Sequence, residues 1–208
     1  MLEYKNEGVL LVISGPSGAG KGTLCKALKE KINYGLSISA TTRKPRAGET
    51  DGVNYYFLSR AAFEEKLREN GFIEWAEVYG NYYGTPKAPV EKMLKEGKDV
   101  VLEIDPQGAM SVRAQMPDAV LIFVMPPSYV ELESRIRGRG TETEGQITKR
   151  LSCAVSEINR LPSYDYIVVN DDVSTAVNDL IAIISAEKCR VTRNRNLPNR
   201  FISDKENE

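Results

Sequence analysis

The sequence contains no histidine among its 208 residues. This absence excludes hydrolases built on a Ser-His-Asp triad, proteases built on a Cys-His pair and zinc enzymes with histidine ligands. It leaves phosphoryl transfer open, because that chemistry depends on positioning and charge stabilisation more than on a side chain that titrates near neutral pH.

Cysteine, long apolar runs and net charge are scarce as well. Cys25, Cys153 and Cys189 are scattered and form no Cys-x-x-Cys motif, so we expect reduced thiols in a cytoplasmic protein. The apolar runs reach only the length of a strand and the amino terminus lacks a secretory h-region, so no membrane partner is expected. The formal net charge of −1 provides no basic field to attract nucleic acid.

The sequence that remains is that of an ordinary globular protein, 41% hydrophobic and 27% charged. Strand-length apolar runs alternate with helical patterns, which predicts an α/β fold with a central parallel sheet covered on both faces. The expected core strands are Val9–Ile13, Val100–Asp105, Ala119–Val124 and Tyr166–Asn170.

A glycine-rich turn follows the first of these strands, and Leu24, Leu28 and Ile32 then mark a helix. The order strand, Gly-x-x-x-x-Gly-Lys, helix predicts a phosphate-binding loop rather than a solvated turn. Gly22 occupies the position where Ser or Thr usually holds magnesium, so Thr23 is the nearest hydroxyl. The predicted loop for nucleotide phosphates comprises Gly15, Pro16, Ser17, Gly18, Ala19, Gly20, Lys21, Gly22 and Thr23.

Two stretches interrupt the alternation, an insertion at about 36–88 and a lid region at about 126–160. They leave a nucleotide-binding core of residues 1–35, 89–125 and 161–194, and a tail, 195–208, that is expected to be flexible. In the insertion we expect strands at Leu36–Ser39, Val53–Leu58 and Phe72–Val78, a helix at Arg60–Asn70 and a turn at Asn81–Pro86. In the rest of the chain we expect helices at Ser128–Arg137, Ile147–Leu161 and Val173 to about Arg193.

Three segments outside the loop carry chemistry suited to phosphate or its metal. Residues 40–49 combine hydroxyls with Arg43, Arg46 and Glu49, which suits an oxyanion, although a basic surface turn is the alternative. Asp105 follows a buried strand, where it suits magnesium or its waters. Glycines between arginines in 135–144 suit a closing lid, the alternative being an exposed loop.

Glu74 lies on the partly apolar face of the Phe72–Val78 strand. A carboxylate in that position indicates either a different register or a paired, functional group.

With these pieces placed, the sequence closely resembles bacterial guanylate kinases over nearly the whole chain, up to about Glu187. The segments that carry the resemblance are residues 15–21, 41–49, 80–85, 104–108, 138–142 and 169–172. The resemblance implies a P-loop three-layer fold in which a core binds ATP, an inserted subdomain binds GMP and a mobile lid closes over both. The implied reaction is ATP + GMP to ADP + GDP, with dGMP as a further acceptor.

The resemblance also implies roles for individual residues. The GMP phosphate would be held by Arg43, Arg46, Tyr55 and Tyr83, and the guanine would be recognised by Ser39, Glu74 and Thr85. Glu49, Gly84, Glu103 and Asp105 complete the implied GMP site. The charge on the transferring group would be neutralised by Lys21, Arg43, Arg135, Arg139 and Arg150. Asn170 would lie near the adenine of ATP, and Mg2+ would be bound by Thr23 and Asp105, directly or through water.

Three other functions remain open at this point. One is a catalytically inactive guanylate-kinase-like protein-binding module, although the loop lysine and the lid arginines are present. Another is a GTPase, suggested only by the Asp-x-x-Gly match at Asp105 to Gly108. The third is a P-loop kinase for a different small phosphate acceptor. The sequence leaves a monomer and a homodimer equally open.

Overall fold

The computed structural model describes residues 7–78, 80–138 and 143–206. The strands are β1 (Leu10–Ser14), β2 (Gly35–Leu36), β3 (Ala40–Thr41), β4 (Tyr56–Phe57), β5 (Phe72–Val78), β6 (Asn81–Pro86), β7 (Val100–Glu103), β8 (Val120–Met125) and β9 (Tyr166–Val169). The helices are α1 (Lys21–Lys31), α2 (Arg60–Arg68), α3 (Lys87–Lys95), α4 (Pro106–Gln115), α5 (Tyr129–Arg137), α6 (Glu144–Ile158), α7 (Val173–Lys188) and α8 (Leu197–Glu206).

The central sheet is parallel throughout and has the order β2-β7-β1-β8-β9. Strand β1 is buried along its whole length, so its alternate side chains serve two different cores. Leu11 and Ile13 pack with α1 and α7 on one face. Leu10 and Val12 pack with α3 and α4 on the other face. The predicted three-layer α/β fold is therefore confirmed.

A second, four-stranded sheet lies within the insertion and has the order β4-β3-β6-β5. Strands β3 and β4 are parallel, and the other pairs are antiparallel. Helix α2 covers this sheet through Phe63, which is fully buried and stacks on Phe72 with ring centroids 4.2 Å apart. The insertion thus has its own small apolar core.

The predicted turn at Asn81–Pro86 is wrong, because these residues form strand β6. The turn lies one step earlier, at Gly80, whose φ of 76° is a conformation that favours glycine. Gly84, predicted as a turn residue, is instead buried in this strand, where an added side chain would meet its neighbours. A Cβ there would lie 3.0 Å from the Glu74 carbonyl oxygen.

Two strands predicted in the insertion are shorter than expected. The stretch Leu36–Ser39 is not one strand, since β2 ends at Leu36 in the central sheet and β3 begins at Ala40 in the second sheet. The chain therefore crosses from core to insertion between them. Of Val53–Leu58, only Tyr56–Phe57 is a strand, because Gly52 and a bridge from Asp51 to Tyr55 form a tight turn before it.

Strand β5 is not regular, which resolves the question raised by Glu74. Phe72 packs in the insertion core, whereas the next residue, Ile73, packs in the central core. The pairing register with β6 shifts between Phe72 and Glu74. The sequence pattern suggested either a different register or a paired carboxylate. The structure shows an irregular register and also a partner for the Glu74 carboxylate, which is described below.

The lid region contains α5 and α6, which pack on each other through Leu132, Ile136, Ile147, Leu151 and Ala154. Thr143 begins α6 with a capping box to Gln146. Helix α6 starts three residues earlier than predicted because of this cap.

The carboxy-terminal part of the chain also differs from expectation. Helix α7 ends at Lys188 rather than near Arg193, and α8 is a helix where a frayed segment was expected. The Asn194 side chain donates to the carbonyl oxygens of Lys188 and Arg190, each at 2.8 Å, which turns the chain away from α7. No helix in the described part of the chain is long and apolar enough to cross a bilayer.

We predict that Phe63→Ala lowers the free energy of unfolding by about 3–5 kcal/mol, because it leaves a cavity in the small insertion core. Urea titration followed by the fluorescence of Trp75, the single tryptophan, which lies in the same sheet, measures the change. Phe201→Ala is the control, since Phe201 is 64% exposed on α8. A loss for Phe63→Ala no larger than that of the control would contradict this packing.

Candidate active site

The glycine-rich loop joins β1 to α1 at the carboxyl edge of the central sheet. Gly15, Gly18 and Gly20 all have positive φ values, between 87° and 140°. A Cβ on Gly15 would lie 2.2 Å from the Val124 carbonyl oxygen, so the loop follows β8 too closely for any other residue. No side chain caps α1 at Gly20, and its first N–H groups suit an anionic ligand.

Lys21 begins α1 and folds back over this loop. Its Nζ donates to the carbonyl oxygens of Gly15 at 2.6 Å and Pro16 at 3.2 Å. Burial lowers the pKa of Lys21, and the carboxylates of Glu103, Glu157 and Asp105 oppose that shift. The ammonium group is therefore held at the loop by main-chain oxygens and is surrounded by carboxylates.

The predicted metal-binding residues lie around the same end of α1. Thr23 is exposed in its first turn, and Asp105 caps α4 by accepting from the Gly108 N–H at 2.7 Å. Glu103 lies over α1, where a Cβ on Gly22 would be 3.4 Å from its Oε1. Burial and the hydrogen bond to Glu103 raise the pKa of the Cys25 thiol to about 12. Among the described residues no three metal-ligating side chains cluster.

Two of the predicted lid arginines reach the loop. The Arg150 Nη2 donates to Ser17 Oγ at 2.5 Å, and the Arg135 Nη2 donates to the carbonyl oxygen of Asn170 at 3.0 Å. Asn170 is buried, and its amide group donates to the carbonyl oxygen of Ala19 at 2.8 Å. The third lid arginine, Arg139, lies outside the described residues.

The insertion carries a second cationic group built around Arg43. Its Nη1 and Nη2 pair with both carboxylate oxygens of Glu49, at 2.9 and 2.8 Å. The hydrogen bond to Arg43 lowers the pKa of Glu49, and the N–H of Arg46 donates to the same carboxylate at 2.7 Å. The Arg43 guanidinium lies 5.5 Å from the ring centre of Tyr55, and its raised pKa reflects hydrogen bonds to Glu49 and then Tyr83. The predicted phosphate-binding residues are therefore brought together here.

The predicted guanine-recognising residues lie where the insertion meets the core. The Thr85 Oγ1 donates to Glu74 Oε1 at 2.6 Å. A Cβ on Gly108 would be 3.4 Å from Glu74 Oε2 and 3.5 Å from Asp105 Oδ1, so both carboxylates border the start of α4. Burial raises the pKa of Glu74, and the negative charge of Asp105 adds to the effect.

The remaining predicted residues frame this contact. Gly84 is buried in β6 beside Thr85, and Ser39 immediately precedes β3, where its carbonyl oxygen accepts from the Tyr56 N–H at 2.9 Å. Ser39 is partly buried.

Sequence reasoning missed two carboxylates that hold this site together. Glu131 accepts from the Arg135 Nε at 2.8 Å and precedes it by four residues on α5, a spacing that could have revealed the pair. Burial raises the pKa of Glu157 on α6, while the nearby Lys21 and the Ser17 N–H oppose the shift. No local pattern relates Glu157 to the loop, so only the fold could show it.

A cavity of about 810 Å³ lies at the opposite, amino end of β8 and β9, and it is larger than one of about 550 Å³ beside α2 and α3. Among its arginines, Arg113 pairs with Asp165, Arg190 pairs with the buried Glu187, and Arg193 binds Glu187 and the Asp118 carbonyl oxygen. The glycine-rich loop and the charged groups around it are at the carboxyl edge, where parallel sheets bind ligands. The candidate site is therefore at that edge and not in the larger cavity.

The family model for guanylate kinase matches residues 7–187. This chain belongs to the guanylate kinase family. Among its curated relatives, the guanylate kinase of Caldanaerobacter subterraneus subsp. tengcongensis is 57% identical over 94% of this chain and 96% of the relative. That of Clostridioides difficile is 53% identical over 93% of this chain and 95% of the relative.

A solved structure agrees with this assignment. The crystal structure of guanylate kinase from Anaplasma phagocytophilum is similar, with a TM-score of 0.70 and 37% identity over 91% of this chain and 90% of that one.

We predict that Glu74→Gln changes how stability depends on pH. Because the pKa of Glu74 is raised above its ordinary 4.5, the folded protein holds this proton more tightly than the unfolded chain does. Ionised Glu74 therefore destabilises the fold increasingly as pH rises from about 4.5 through the folded pKa. The unfolding free energy of Glu74→Gln relative to wild type should rise over that range and then level off.

Urea titrations at a series of pH values measure this difference. Glu77→Gln, on an exposed position of the same strand, is the matched control and should show no such rise. A difference that falls with pH would mean that the pKa of Glu74 is lowered, contrary to its burial.

Proposed function

We propose that this chain transfers the terminal phosphoryl group of ATP to GMP, giving ADP and GDP, and also accepts dGMP. The observation that carries the proposal is the partly buried Glu74 carboxylate, held by Thr85 at the sheet edge that bears the glycine-rich loop.

We also propose the cytoplasm as its place of action, since its cysteines are free thiols in the structure.

Guanine recognition follows from the hydrogen-bonding capacity of Glu74. A carboxylate only accepts, and guanine offers the N1–H and N2–H donors on one edge. Adenine offers an acceptor at N1 and has no 2-amino group, so it would supply this partly buried carboxylate with no donor beyond Thr85. The loss of a hydrogen bond to a buried charged group is strongly unfavourable, which gives selectivity. The Ser39 hydroxyl would donate to O6, and the Thr85 hydroxyl would do so by exchanging its present acceptor, Glu74 Oε1, for O6.

The GMP phosphate would bind at the Arg43 cluster, with Arg46, Tyr55 and Tyr83. Arginine suits this position because a guanidinium has five N–H donors, so it keeps donors for phosphate oxygens beside the two that bind Glu49. Glu49 already fixes the Arg43 guanidinium in place, so less side-chain freedom is lost when the phosphate binds.

The ATP phosphates would bind the glycine-rich loop and the amino end of α1, with Lys21 on the outer phosphates. Arg135, Arg139 and Arg150 would neutralise charge on the transferring group from the lid side. Asn170 would lie near the adenine. Arg150 would exchange its present partner, the Ser17 hydroxyl, for phosphate oxygen.

The donors near this loop fit magnesium carried by ATP. Mg2+ binds through one or two carboxylates together with substrate phosphates and water, and Thr23 and Asp105 offer oxygen donors of that kind. When bound, the ion would neutralise charge on the phosphate oxygens. No group of protein ligands beyond these is required.

The nucleophile is a GMP phosphate oxygen, which is ionised at neutral pH. No general base is needed, and none of the proposed residues is asked to accept a proton. Water is the competing acceptor, so we propose that the insertion, 36–88, and the lid region, 126–160, close before transfer.

A coupled assay of ADP release tests the acceptor. The purified chain is supplied with Mg2+ and ATP, and GMP, dGMP, AMP, CMP and UMP are added separately. We expect rapid release with GMP and dGMP and little with the other three. Comparable release with AMP would overturn the guanine assignment.

We predict that Lys21→Met lowers kcat by about a hundredfold or more, because it removes the positive charge at the outer phosphates. Circular dichroism should show an unchanged fold. Lys26→Met, on an exposed position of the same helix, is the control and should keep near-normal activity. Near-normal turnover of Lys21→Met would remove this lysine from the phosphate site.

We further predict that Glu74→Gln reduces the preference for GMP over AMP, as a ratio of kcat/KM values, by about a hundredfold. A carboxylate presents two acceptor oxygens to the base, whereas the amide of glutamine presents one acceptor and one donor. The KM for ATP should change little. Equal losses toward ATP and GMP, or the same loss in Glu77→Gln, would contradict the proposed recognition.

A further inference from the structure

Two nitrogens of the Arg135 guanidinium are hydrogen-bonded, and the third, Nη1, faces the phosphate loop. Its Nε donates to Glu131 Oε1 at 2.8 Å, and its Nη2 donates to the Asn170 carbonyl oxygen at 3.0 Å. Its Nη1 is 3.9 Å from the position that a Cβ on Gly20 would occupy. The group therefore presents Nη1 to the turn that begins α1, although Arg135 itself belongs to the lid helix α5.

One of these two anchors is rigid. The Asn170 N–H donates to the Met125 carbonyl oxygen at 2.8 Å, and its side chain donates to the Ala19 carbonyl oxygen at 2.8 Å. Asn170 is thereby tied both to the end of β8 and to the phosphate loop. A single hydrogen bond to this oxygen would still let the guanidinium swing about it, because the arginine side chain is long and has several rotatable bonds.

Glu131 supplies the second anchor, one helical turn before Arg135. Two hydrogen bonds to different edges of a planar group define its orientation, which a single bond cannot do. An ion pair at this spacing on a helix surface adds little to stability. A carboxylate near a site for phosphates also disfavours anionic ligands. Glu131 also lies in the first turn of α5, where a carboxylate stabilises a helix modestly, but that effect does not need the bond to Arg135. The bond itself places the arginine.

We propose that Glu131 is a positioning residue for phosphoryl transfer, which holds the Arg135 guanidinium against the phosphate loop. The proposal rests on the function proposed above. Glu131 does not touch the substrates; it acts through Arg135, whose charge meets the transferring group. Misplacement of a charged group by about 1 Å can cost up to a hundredfold in rate.

The same helix provides a matched control. Arg137 Nε donates to Glu133 Oε1 at 2.8 Å, with the same spacing of four residues. The side chains of Glu131 and Glu133 are similarly exposed, by 43% and 35%. Arg137 pairs onward with Glu144 at the start of α6 and is not part of the proposed site.

The experiment compares wild type, Glu131→Ala, Glu131→Gln and Glu133→Ala. GDP formation gives kcat and the KM for GMP and for ATP, and urea titration gives the unfolding midpoint. We expect Glu131→Ala to lose about tenfold to a hundredfold in kcat, with the KM for GMP and the unfolding midpoint unchanged. Glu131→Gln should restore most of the rate, because its amide oxygen still accepts from the Arg135 Nε. Glu133→Ala should behave as wild type.

Wild-type kcat in Glu131→Ala, or an equal loss in Glu133→Ala, would overturn the proposal. So would a lower unfolding midpoint that accompanies the lost rate, since that would show a structural role. A loss in Glu131→Gln as large as in Glu131→Ala would also overturn it, by showing that charge and not placement matters. If wild type itself formed no GDP, the proposed function would fail first, and that result is distinct from all of these.

Discussion

The hydrogen bond from Thr85 to Glu74 links the two halves of this protein's chemistry. It places a partly buried carboxylate beside Gly108, on the helix that Asp105 caps at the carboxyl edge of the central sheet. A carboxylate in that position is unfavourable without a ligand, as its raised pKa shows. A base that donates two hydrogen bonds would relieve this cost, and the glycine-rich loop borders the same edge. In the proposed function, recognition and transfer would therefore depend on how the insertion contacts α4.

Two arginines around the candidate site are held in place by carboxylates, and Lys21 is held by main-chain oxygens. Arg43 is held by Glu49 and Arg135 by Glu131, while Lys21 lies among three carboxylates and donates to main-chain oxygens. Each pairing lowers the conformational freedom that binding would otherwise have to remove. It also compensates the repulsion between cations in the absence of nucleotide. The same logic gives Glu131 its proposed role, as a residue that orients a charge rather than supplying one.

Much of the fold was predictable from the sequence because its core elements are locally encoded. The continuous β-branched run before Gly15, and the helix pattern after it, specify a buried strand, a turn and a helix without help from the rest of the chain. In the second sheet only β5 was predicted with its observed bounds, since two of the other strands have only two residues and β6 contains Gly84 and Pro86. Glycine and proline indicate a turn when the segment is considered alone, and it is the pairing with β5 that makes this segment a strand. Helix α8 likewise depends on how Asn194 redirects the chain.

The site was predictable to a similar degree. Arg43 and Glu49 lie six residues apart, and Glu131 and Arg135 lie four apart. Each pairing can therefore be predicted from a short segment of the sequence. The contact of Glu74 with Gly108, and the proximity of Glu157 to Lys21, join residues far apart in sequence. They depend on tertiary packing that no pattern in one chain reveals. The resemblance to guanylate kinases supplied the roles of Glu74 and Thr85, and the geometry supplied the physical reason for them.

The most direct test of this account follows the phosphoryl group itself. The purified chain is mixed with Mg2+, GMP and ATP that is radiolabelled in its terminal phosphate, and the products are separated by chromatography. The account predicts that the label appears in GDP, in step with the ADP formed and only when GMP is present. Label in inorganic phosphate at the same rate with or without GMP would contradict it, because the chain would then deliver the group to water.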